Sequence, residues 1–332
     1  MSNEEIGHLA AELSARYSED SVRTQLEALE RHGSVVDEPE LWLRTAVERS
    51  FRFTPIEATQ RCACGSDRTR LLSRFVFWNL LGVRRCEECG LVFVSPRLTQ
   101  DAMGWVFNER YFRRTDPDYW GGRRVPIFRD ITRLLRRYGV QSVLDVGAAY
   151  GHFPKWALDN GFDASGCDIS ESAVEWGVEN LGVPLSVGRI QEVDLPSGSF
   201  DCVVSLDTLY YVADPAGDLA AIRRLLKPGG CAILRLRSNR RLKSRAREAG
   251  KKTIGGQVVP APHLWGFTPN TVARVLAKCG FQTELLEPAA YSKTALGPIY
   301  GLGLAANRAL ARSPLSTPIL TRSFNVVAVR AD

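Results

Sequence analysis

The sequence predicts an α/β fold, in which a mostly parallel sheet carries helices on both faces. Apolar β-rich runs alternate with helical patterns from residue 142 onward, and this alternation is typical of parallel strands joined by crossover helices. Residues 143–151 also leave an apolar run through a glycine-spaced turn and enter a helical pattern. Such a turn gathers backbone N–H groups and a helix N-terminus at one point, where a ligand that carries adenosine can bind.

Seven apolar runs are the predicted strands, and they lie at 142–146, 164–169, 185–187, 200–206, 230–236, 282–287 and 324–329. Helices are predicted at 127–138, 153–160, 171–180, 215–226 and 269–279. Lys227–Gly230 is predicted to be a turn that ends one helix and leads into the next strand. These elements place one α/β domain in residues 101–332.

Two further segments precede this domain. Residues 1–55 have the apolar spacing of helices but no recognisable chemistry, so packing, dimerisation and the covering of a site stay open for them. Residues 56–100 hold a cluster of four cysteines. Inside the α/β domain, the sequence indicates two distinct segments, a basic region at 237–262 and an apolar insertion at 288–322. A pocket wall, a homodimer contact and a lipid contact all stay open for the insertion.

The composition is that of a globular protein. Of the 332 residues, 45% are hydrophobic and 24% are charged, and no apolar run is long enough to span a membrane. The first residues are acidic and lack the apolar core of a secretory signal, so we expect a cytoplasmic protein without disulfides. Four cysteines in or beside apolar runs are therefore expected to be buried free thiols, and these are Cys167, Cys202, Cys231 and Cys279.

The excess of positive charge is local. The formal net charge is +6, and nine Lys or Arg residues face one acid, Glu248, between Arg235 and Lys252. The stretch is either a solvated helix or loop, or a lid for an anionic substrate such as a nucleotide, a phosphate or an acidic carrier protein.

Asp168 is the predicted ribose ligand of this site. It follows the second strand, 23 residues after Asp145, and a carboxylate at such a strand end can accept both hydroxyl protons of a ribose. The alternative is an acid that caps the following helix. The glycine spacing Gly147-x-Ala149-x-Gly151 does not match the G-x-G-x-x-G pattern of dinucleotide binders, and a Walker loop is absent.

Four motifs occur here in a diagnostic order, and they lie at 143–151, 166–170, 195–204 and 225–230. Together they resemble the ordered signature of class I S-adenosylmethionine-dependent methyltransferases. The resemblance implies a Rossmann-like seven-stranded sheet whose last strand, here 324–329, is antiparallel. It also implies that S-adenosylmethionine lies across the carboxyl ends of the first strands.

The same resemblance assigns cofactor contacts residue by residue. It places the methionine end at Asp145, Gly147, Ala149, Gly151 and His152, the ribose at Asp168 with Ile169, and adenine at Arg189, Ile190 and Gln191. Tyr111 matches an aromatic position near the cofactor, with aromatic packing between domains as the alternative. Asp207 belongs to the loop beside the transferred methyl group. Two positions depart from the family pattern. Arg189 stands where many members have an acid, and Ala149 replaces a glycine, which is tolerable if φ stays negative there.

The cysteine cluster predicts a structural zinc ion. Cys62-x-Cys64 and Cys86-x-x-Cys89 are separated by 21 residues, so the two pairs can converge on one tetrahedral Zn²⁺. Four reduced thiols without metal are the alternative. The segment, with β-like pieces at 75–77 and 91–94, resembles a zinc ribbon that precedes the methyltransferase domain in bacterial enzymes of sugar and natural-product biosynthesis. That group has C-x-x-C at the first pair, whereas Arg61 occupies the expected first position here.

Three residues are candidates for catalysis. His263 is the best base candidate, although it could instead cap the helix that follows. In the zinc-ribbon sugar C-methyltransferases that the chain resembles, a Glu precedes this His; Pro262 stands there instead, which argues against C-methylation. Tyr210 and Tyr211 stand where relatives often carry Glu-His, and each either contacts the substrate or only packs.

We therefore expect methyl transfer to a small molecule, such as a sugar, a nucleotide-sugar or an intermediate of antibiotic biosynthesis, with O-methylation favoured. An anionic acceptor, nucleotide-linked or tethered to a carrier, fits the basic stretch. C-methylation of a nucleotide-linked sugar, RNA methylation and a non-catalytic cofactor-binding subunit are the alternatives. An interaction with nucleic acid is disfavoured, because the sequence after the fourth strand lacks both the Asn/Asp-Pro-Pro-aromatic run and the Pro-Cys pair of nucleic-acid methyltransferases.

Overall fold

The computed structural model describes residues 56–57, 61–74, 82–95, 97–98, 116–238, 264–290 and 323–331. Several of the predictions lie outside these residues: the helical segment 1–55, the β-like piece 75–77, most of the basic region and of the insertion, Tyr111 and His263. Among the described helices, none is long and apolar enough to cross a membrane.

The larger sheet has seven strands, and they are β6 Ser142–Val146, β7 Asp163–Asp168, β8 Leu185–Val187, β9 Phe200–Leu206, β10 Leu226–Arg237, β12 Phe281–Pro288 and β13 Ser323–Arg330. Their order across the sheet is β12-β13-β10-β9-β6-β7-β8. Strands β8, β7, β6, β9 and β10 are parallel, whereas β13 is antiparallel to both of its neighbours. The predicted strands and the antiparallel last strand are thus confirmed.

Five helices are described, and they are α1 Pro117–Arg137, α2 His152–Asp159, α3 Glu171–Leu181, α4 Pro215–Leu225 and α5 Pro269–Lys278. Three of them begin at side-chain caps: Ser170, Asp214 and Thr268 each accept a backbone N–H of the first turn. Helix α1 begins ten residues before its predicted start. The sequence pattern does not indicate that these ten residues are helical, because they include Gly121, Gly122 and Pro126, which disfavour helix interiors.

Helices cover both faces of the larger sheet. On one face, α1 and α2 pack their buried apolar residues against Val143, Val204 and Ile233. On the other face, α4 and α5 pack against a core that includes Leu144 and Val203. Successive strand residues point to opposite faces, so these fully buried strands read as continuous apolar runs. The predicted turn at Lys227–Gly230 is absorbed into β10, whose register with β9 shifts between Leu226 and Cys231.

A smaller sheet carries the cysteine cluster. It has the order β11-β4-β3-β2, formed by β2 Thr69–Arg74, β3 Gly82–Cys86, β4 Val92–Val94 and β11 Trp265–Gly266. Its fourth strand, β11, comes from the α/β domain, which joins the two sheets through backbone hydrogen bonds. Two further short strands, β1 Ile56–Glu57 and β5 Arg97–Leu98, pair with each other.

The other cysteines agree with expectation in three of four cases. Cys167, Cys202 and Cys231 are buried free thiols. Cys279 is also a free thiol, but it is only partly buried, so the prediction of a buried thiol is wrong at this position. It follows α5 at the C-cap position and packs against the edge of the apolar core.

Candidate functional site

The glycine turn after β6 is held in a conformation that needs glycine at both of its ends. Gly147 and Gly151 each have φ near +77°, in the left-handed region that L side chains disfavour. A Cβ at Gly147 would overlap the Thr208 side chain, and a Cβ at Gly151 would overlap Val183 and Leu185. The turn therefore approaches both the loop after β9 and strand β8 too closely for any side chain.

Ala149, between these glycines, also has a positive φ of 52°. The condition under which an alanine is tolerable at this position, a negative φ, is therefore not met. A non-glycine residue in this region costs roughly 1–2 kcal/mol. The backbone N–H of Ala149 donates to Asp168 Oδ2 at 2.8 Å, and this buried hydrogen bond helps to hold the strained turn.

Asp168 lies at the carboxyl end of β7 and is 7% exposed. Its two oxygens accept the backbone N–H groups of Ala149 and, at 2.9 Å, Ser170. The N-cap of α3 is Ser170 and not Asp168, so the capping alternative does not describe this acid. Burial raises the pKa of Asp168, while the backbone N–H donors act in the opposite direction. Each oxygen keeps a lone pair that could accept from a hydroxyl group.

Asp145 lies at the carboxyl end of β6 and is 3% exposed. Its Oδ1 has no hydrogen-bond partner among the described residues. Burial raises the pKa of this carboxyl to about 8; the positive charge of Arg124 opposes that rise, and the neighbouring Asp168 adds to it. A buried acceptor without a partner costs free energy, so the position fits a ligand that brings a hydrogen-bond donor or a positive charge.

Two arginines converge on Asp207, directly after β9. Asp207 also has a positive φ, of 66°. The Arg235 guanidinium pairs with Asp207 Oδ2, and Arg124 Nη2 lies 3.4 Å from the same oxygen. Burial would raise the pKa of Asp207, but Arg235 and Arg124 hold it below its usual value. Sequence reasoning missed both arginines, although a charge inside the apolar strand β10 was a signal for Arg235.

The two tyrosines after Asp207 differ in exposure. Tyr210 is 1% exposed and belongs to the apolar core, and burial raises the pKa of its phenol well above the usual value. Tyr211 is only partly buried, and its ring lies 4.5 Å from that of Tyr210, measured between centroids. Tyr211 is therefore the better placed of the two to meet a ligand.

The remaining predicted cofactor residues frame the same edge of the sheet. His152 begins α2, and its ring lies 5.7 Å from that of Trp176; burial lowers the pKa of His152. Ile169 is partly buried and Ile190 is fully buried.

The polar residues of the predicted adenine segment make protein contacts. Gln191 Nε2 donates to Asp218 Oδ1 at 2.8 Å. Asp218, a buried acid of α4 that the sequence did not single out, has its pKa raised to about 6 by burial. Arg189 Nη1 lies 3.4 Å from Glu192 Oε1.

The four predicted metal ligands do converge. The sulfur atoms of Cys62, Cys64, Cys86 and Cys89 all lie within 4.8 Å of one another. The Sγ atoms are 3.5 Å apart in Cys62–Cys89 and 3.7 Å apart in Cys64–Cys86. A tetrahedral Zn²⁺ with Zn–S bonds of about 2.3 Å has S···S edges of roughly 3.8 Å. The set therefore has the donor chemistry and spacing of a structural Cys₄ zinc site.

These features define the class of the protein. It is an α/β protein in which a glycine turn and two buried acids, at one edge of the sheet, suit a cofactor that carries a nucleoside. The model of a family described as a methyltransferase domain matches residues 119–286, which is half of the chain. The chain belongs to this family, and it is an S-adenosylmethionine-dependent methyltransferase of class I.

Two named relatives and one solved structure are similar to this chain. A ubiquinone biosynthesis O-methyltransferase of Thiobacillus denitrificans is 30% identical over 161 residues, which cover 46% of this chain and 69% of that protein. A probable S-adenosylmethionine-dependent methyltransferase of Mycolicibacterium smegmatis is 25% identical over 65% of this chain and 81% of its own length. Among solved structures, an S-adenosylmethionine-dependent methyltransferase from Mesorhizobium loti has a TM-score of 0.44 and 21% identity, and the match covers 63% of this chain and 99% of that one.

Proposed function

We propose that the protein transfers the methyl group of S-adenosylmethionine to a hydroxyl oxygen of a small molecule. One observation supports the cofactor position more than any other. Asp145 and Asp168, both buried, flank the glycine turn, and Asp145 Oδ1 has no protein partner among the described residues. The α-ammonium of the cofactor would give this oxygen a charged donor, and the ribose hydroxyls would donate to the remaining lone pairs of Asp168.

Other residues complete the proposed cofactor site. Arg124 lies close enough to Asp145 and Asp207 to act on the pKa of both, so it is our candidate for the methionine carboxylate. Gly147 and Gly151 let the backbone approach the ligand. On the adenine side we propose Ile190 and Ile169 as the apolar contacts and Arg189 and Gln191 as the polar edge. His152 and Ala149 would lie near the methionine end.

When bound, S-adenosylmethionine supplies a methyl group on a sulfonium, which is already activated for displacement. The acceptor oxygen would form the new O–CH₃ bond as the S–CH₃ bond breaks, S-adenosylhomocysteine would leave, and the hydroxyl proton would pass to a base. The protein therefore has to align the acceptor and remove one proton. We propose His263 as the base and Tyr211 as an acceptor contact, with Tyr210 packing behind Tyr211. The next residue, Leu264, donates its N–H to Tyr210 O at 2.8 Å, which supports a role for His263 beside this loop.

O-methylation is the preferred reaction because several relatives of this chain are named as O-methyltransferases. We propose an anionic acceptor because nine Lys or Arg residues stand against one acid, Glu248, between Arg235 and Lys252. C-methylation of a nucleotide-linked sugar is the second candidate. The converging Cys₄ cluster favours it, because the resembling zinc-ribbon group includes sugar C-methyltransferases.

We also propose that Cys62, Cys64, Cys86 and Cys89 hold a structural Zn²⁺. Four thiolates leave no open coordination position, so the ion would organise the ribbon rather than act on the substrate. All eight cysteines of the chain are free thiols, which fits the reducing conditions of the cytoplasm.

Calorimetric titration with S-adenosylmethionine tests the cofactor site. Asp168→Ala should weaken binding at least 100-fold, because it removes the ribose acceptor and releases the Ala149 N–H. Asp159→Ala, an exposed acid at the end of α2, is the matched control and should bind like the wild type. Equal affinity in Asp168→Ala and wild type would contradict the proposed site.

A labelling experiment tests the reaction. The enzyme and methyl-tritiated S-adenosylmethionine are incubated with separated metabolite and RNA fractions of the producing organism. Label in the metabolite fraction that hydriodic acid releases as methyl iodide supports O-methylation. Label that resists this cleavage favours C-methylation, label in RNA contradicts a small-molecule acceptor, and binding without any transfer favours the non-catalytic alternative.

A further inference from the structure

The cysteine ribbon and the loop beside the methyl-transfer site share one apolar core. Cys62, Cys86 and Cys89 belong to the same buried cluster as Tyr210 and Trp265. The Cys₄ centre is far from this loop in sequence, yet the packing between them is continuous. A change at the cysteines can therefore reach the loop through close-packed side chains.

Strand β11, at Trp265–Gly266, is the physical connection. It pairs antiparallel with β4 of the ribbon, and Val94 N donates to Leu264 O at 2.9 Å. From the other side, the N–H groups of Leu264 and Trp265 both donate to Tyr210 O, at 2.8 and 3.3 Å. The same short segment thus extends the ribbon sheet and holds the backbone of the loop.

The Trp265 side chain forms a second link. Its ring stacks on Phe93 of β4, with 5.2 Å between centroids and 29° between planes. Its indole Nε1–H donates to Val212 O at 2.7 Å. Trp265 is 2% exposed, so this hydrogen bond is shielded from water.

The ribbon end of this path starts at the cysteines themselves. Leu91 N donates to Cys89 Sγ at 3.4 Å, and Cys86 N donates to Leu91 O at 2.9 Å. Leu91 is fully buried two residues before Phe93. On the opposite side, Arg274 of α5 donates to Cys89 O at 3.3 Å. The backbone geometry at Cys86 and Cys89 therefore determines the position of Phe93 in β4.

From these contacts we propose that Trp265 is a positioning residue, through which the metal-loaded Cys₄ centre holds the acceptor-side loop 207–212 in place. The proposal rests on the zinc site proposed above. Zinc binding and the ordering of loop 207–212 are then coupled, so each must change the equilibrium constant of the other by the same factor. Helix α3, at Glu171–Leu181, makes none of the contacts described here and should not respond.

Hydrogen exchange on the full chain tests the proposal without knowledge of the acceptor. In the zinc-loaded protein, Trp265→Phe keeps the stack on Phe93 but removes the donor to Val212 O. Amide exchange in a peptide covering 207–213 should become about threefold to tenfold faster, the effect of one lost hydrogen bond. Exchange in a peptide covering α3, at 171–181, should stay unchanged. The zinc affinity of the variant, measured by competition with a chelator, should fall by a similar factor.

Trp156→Phe is the matched control. Its indole also donates one hydrogen bond, to Thr132 Oγ1 at 2.9 Å, but it packs on the opposite face of the sheet. This variant should change neither loop exchange nor zinc affinity. Removal of zinc from the wild type should accelerate exchange at 207–213 as well as in the ribbon, while S-adenosylmethionine still binds.

Four results would overturn the proposal: a wild type that binds no zinc, zinc removal that leaves exchange at 207–213 unchanged, or a Trp265→Phe variant that keeps either the wild-type loop exchange or the wild-type zinc affinity. If zinc removal unfolds the whole chain, the Trp265→Phe variant decides alone. Loss of S-adenosylmethionine binding in the zinc-loaded wild type would instead refute the proposed function and leave the coupling between ribbon and loop standing.

Discussion

The carboxyl edge of the sheet has two halves that are built in different ways. The cofactor half, from Asp145 to Asp168, is acidic and is formed by one short stretch of chain, within which the Ala149–Asp168 hydrogen bond spans only 19 residues. In the acceptor half, Asp207 is instead contacted by two arginines, of which Arg124 lies 83 residues away in the chain. A local motif can therefore form the cofactor half, whereas the surroundings of Asp207 are assembled from long-range contacts.

The largest effect is expected in the acceptor half. Arg235→Met should lower the free energy of unfolding by about 3–5 kcal/mol, because it leaves the buried carboxylate of Asp207 without its main partner. Urea unfolding measures this loss. The double variant Asp207→Asn/Arg235→Met should recover part of it, and Arg129→Met, at an exposed position of α1, should stay within about 0.5 kcal/mol of wild type. A single variant as stable as wild type would show that the pair does not hold this half together.

The buried acid of the cofactor half should give a pH signature. Burial raises the pKa of Asp145 from 3.8 to about 8, so the folded state is favoured below pH 4 and loses stability as the pH rises towards 8. Between pH 5 and pH 7 the wild type should therefore lose about 3 kcal/mol relative to Asp145→Asn. Unfolding curves of both proteins at several pH values measure the difference, and parallel pH profiles would contradict it.

The contact between the two halves can be probed at Gly147. Gly147→Ala should cost about 2–3 kcal/mol of stability, because it combines a positive φ with overlap of the Thr208 side chain. Gly182→Ala has a similar φ but open space around it, so it should cost only about 1 kcal/mol. Thermal unfolding of both variants separates the strain from the overlap. Equal losses would mean that the turn does not press on the loop after β9.

The smallest effect concerns Ala149. Ala149→Gly relieves the positive φ but increases the entropy of the unfolded chain, so stability should rise by at most about 1 kcal/mol. Thermal unfolding measures this gain. A clear loss of stability would mean that the buried methyl group contributes more packing than its backbone strain costs.

The same contrast explains what the sequence could predict. The strands, four of the five helices and the convergence of Cys62, Cys64, Cys86 and Cys89 follow from apolar periodicity and spacing, which are local signals. The start of α1 was not predicted, because two glycines and a proline lie in its first half. Asp218 and Trp265 gained their roles only from partners 27 and 53 residues away in the chain. No pattern within one element reports such contacts, so the folded chain was needed to find them.

A crystal structure with S-adenosylhomocysteine tests the central claim most directly. We expect the ribose hydroxyls within hydrogen-bond distance of Asp168, the ammonium at Asp145 Oδ1, and the sulfur facing the loop that carries Asp207 and Tyr211. A ligand whose ribose and ammonium contact neither acid would contradict the account.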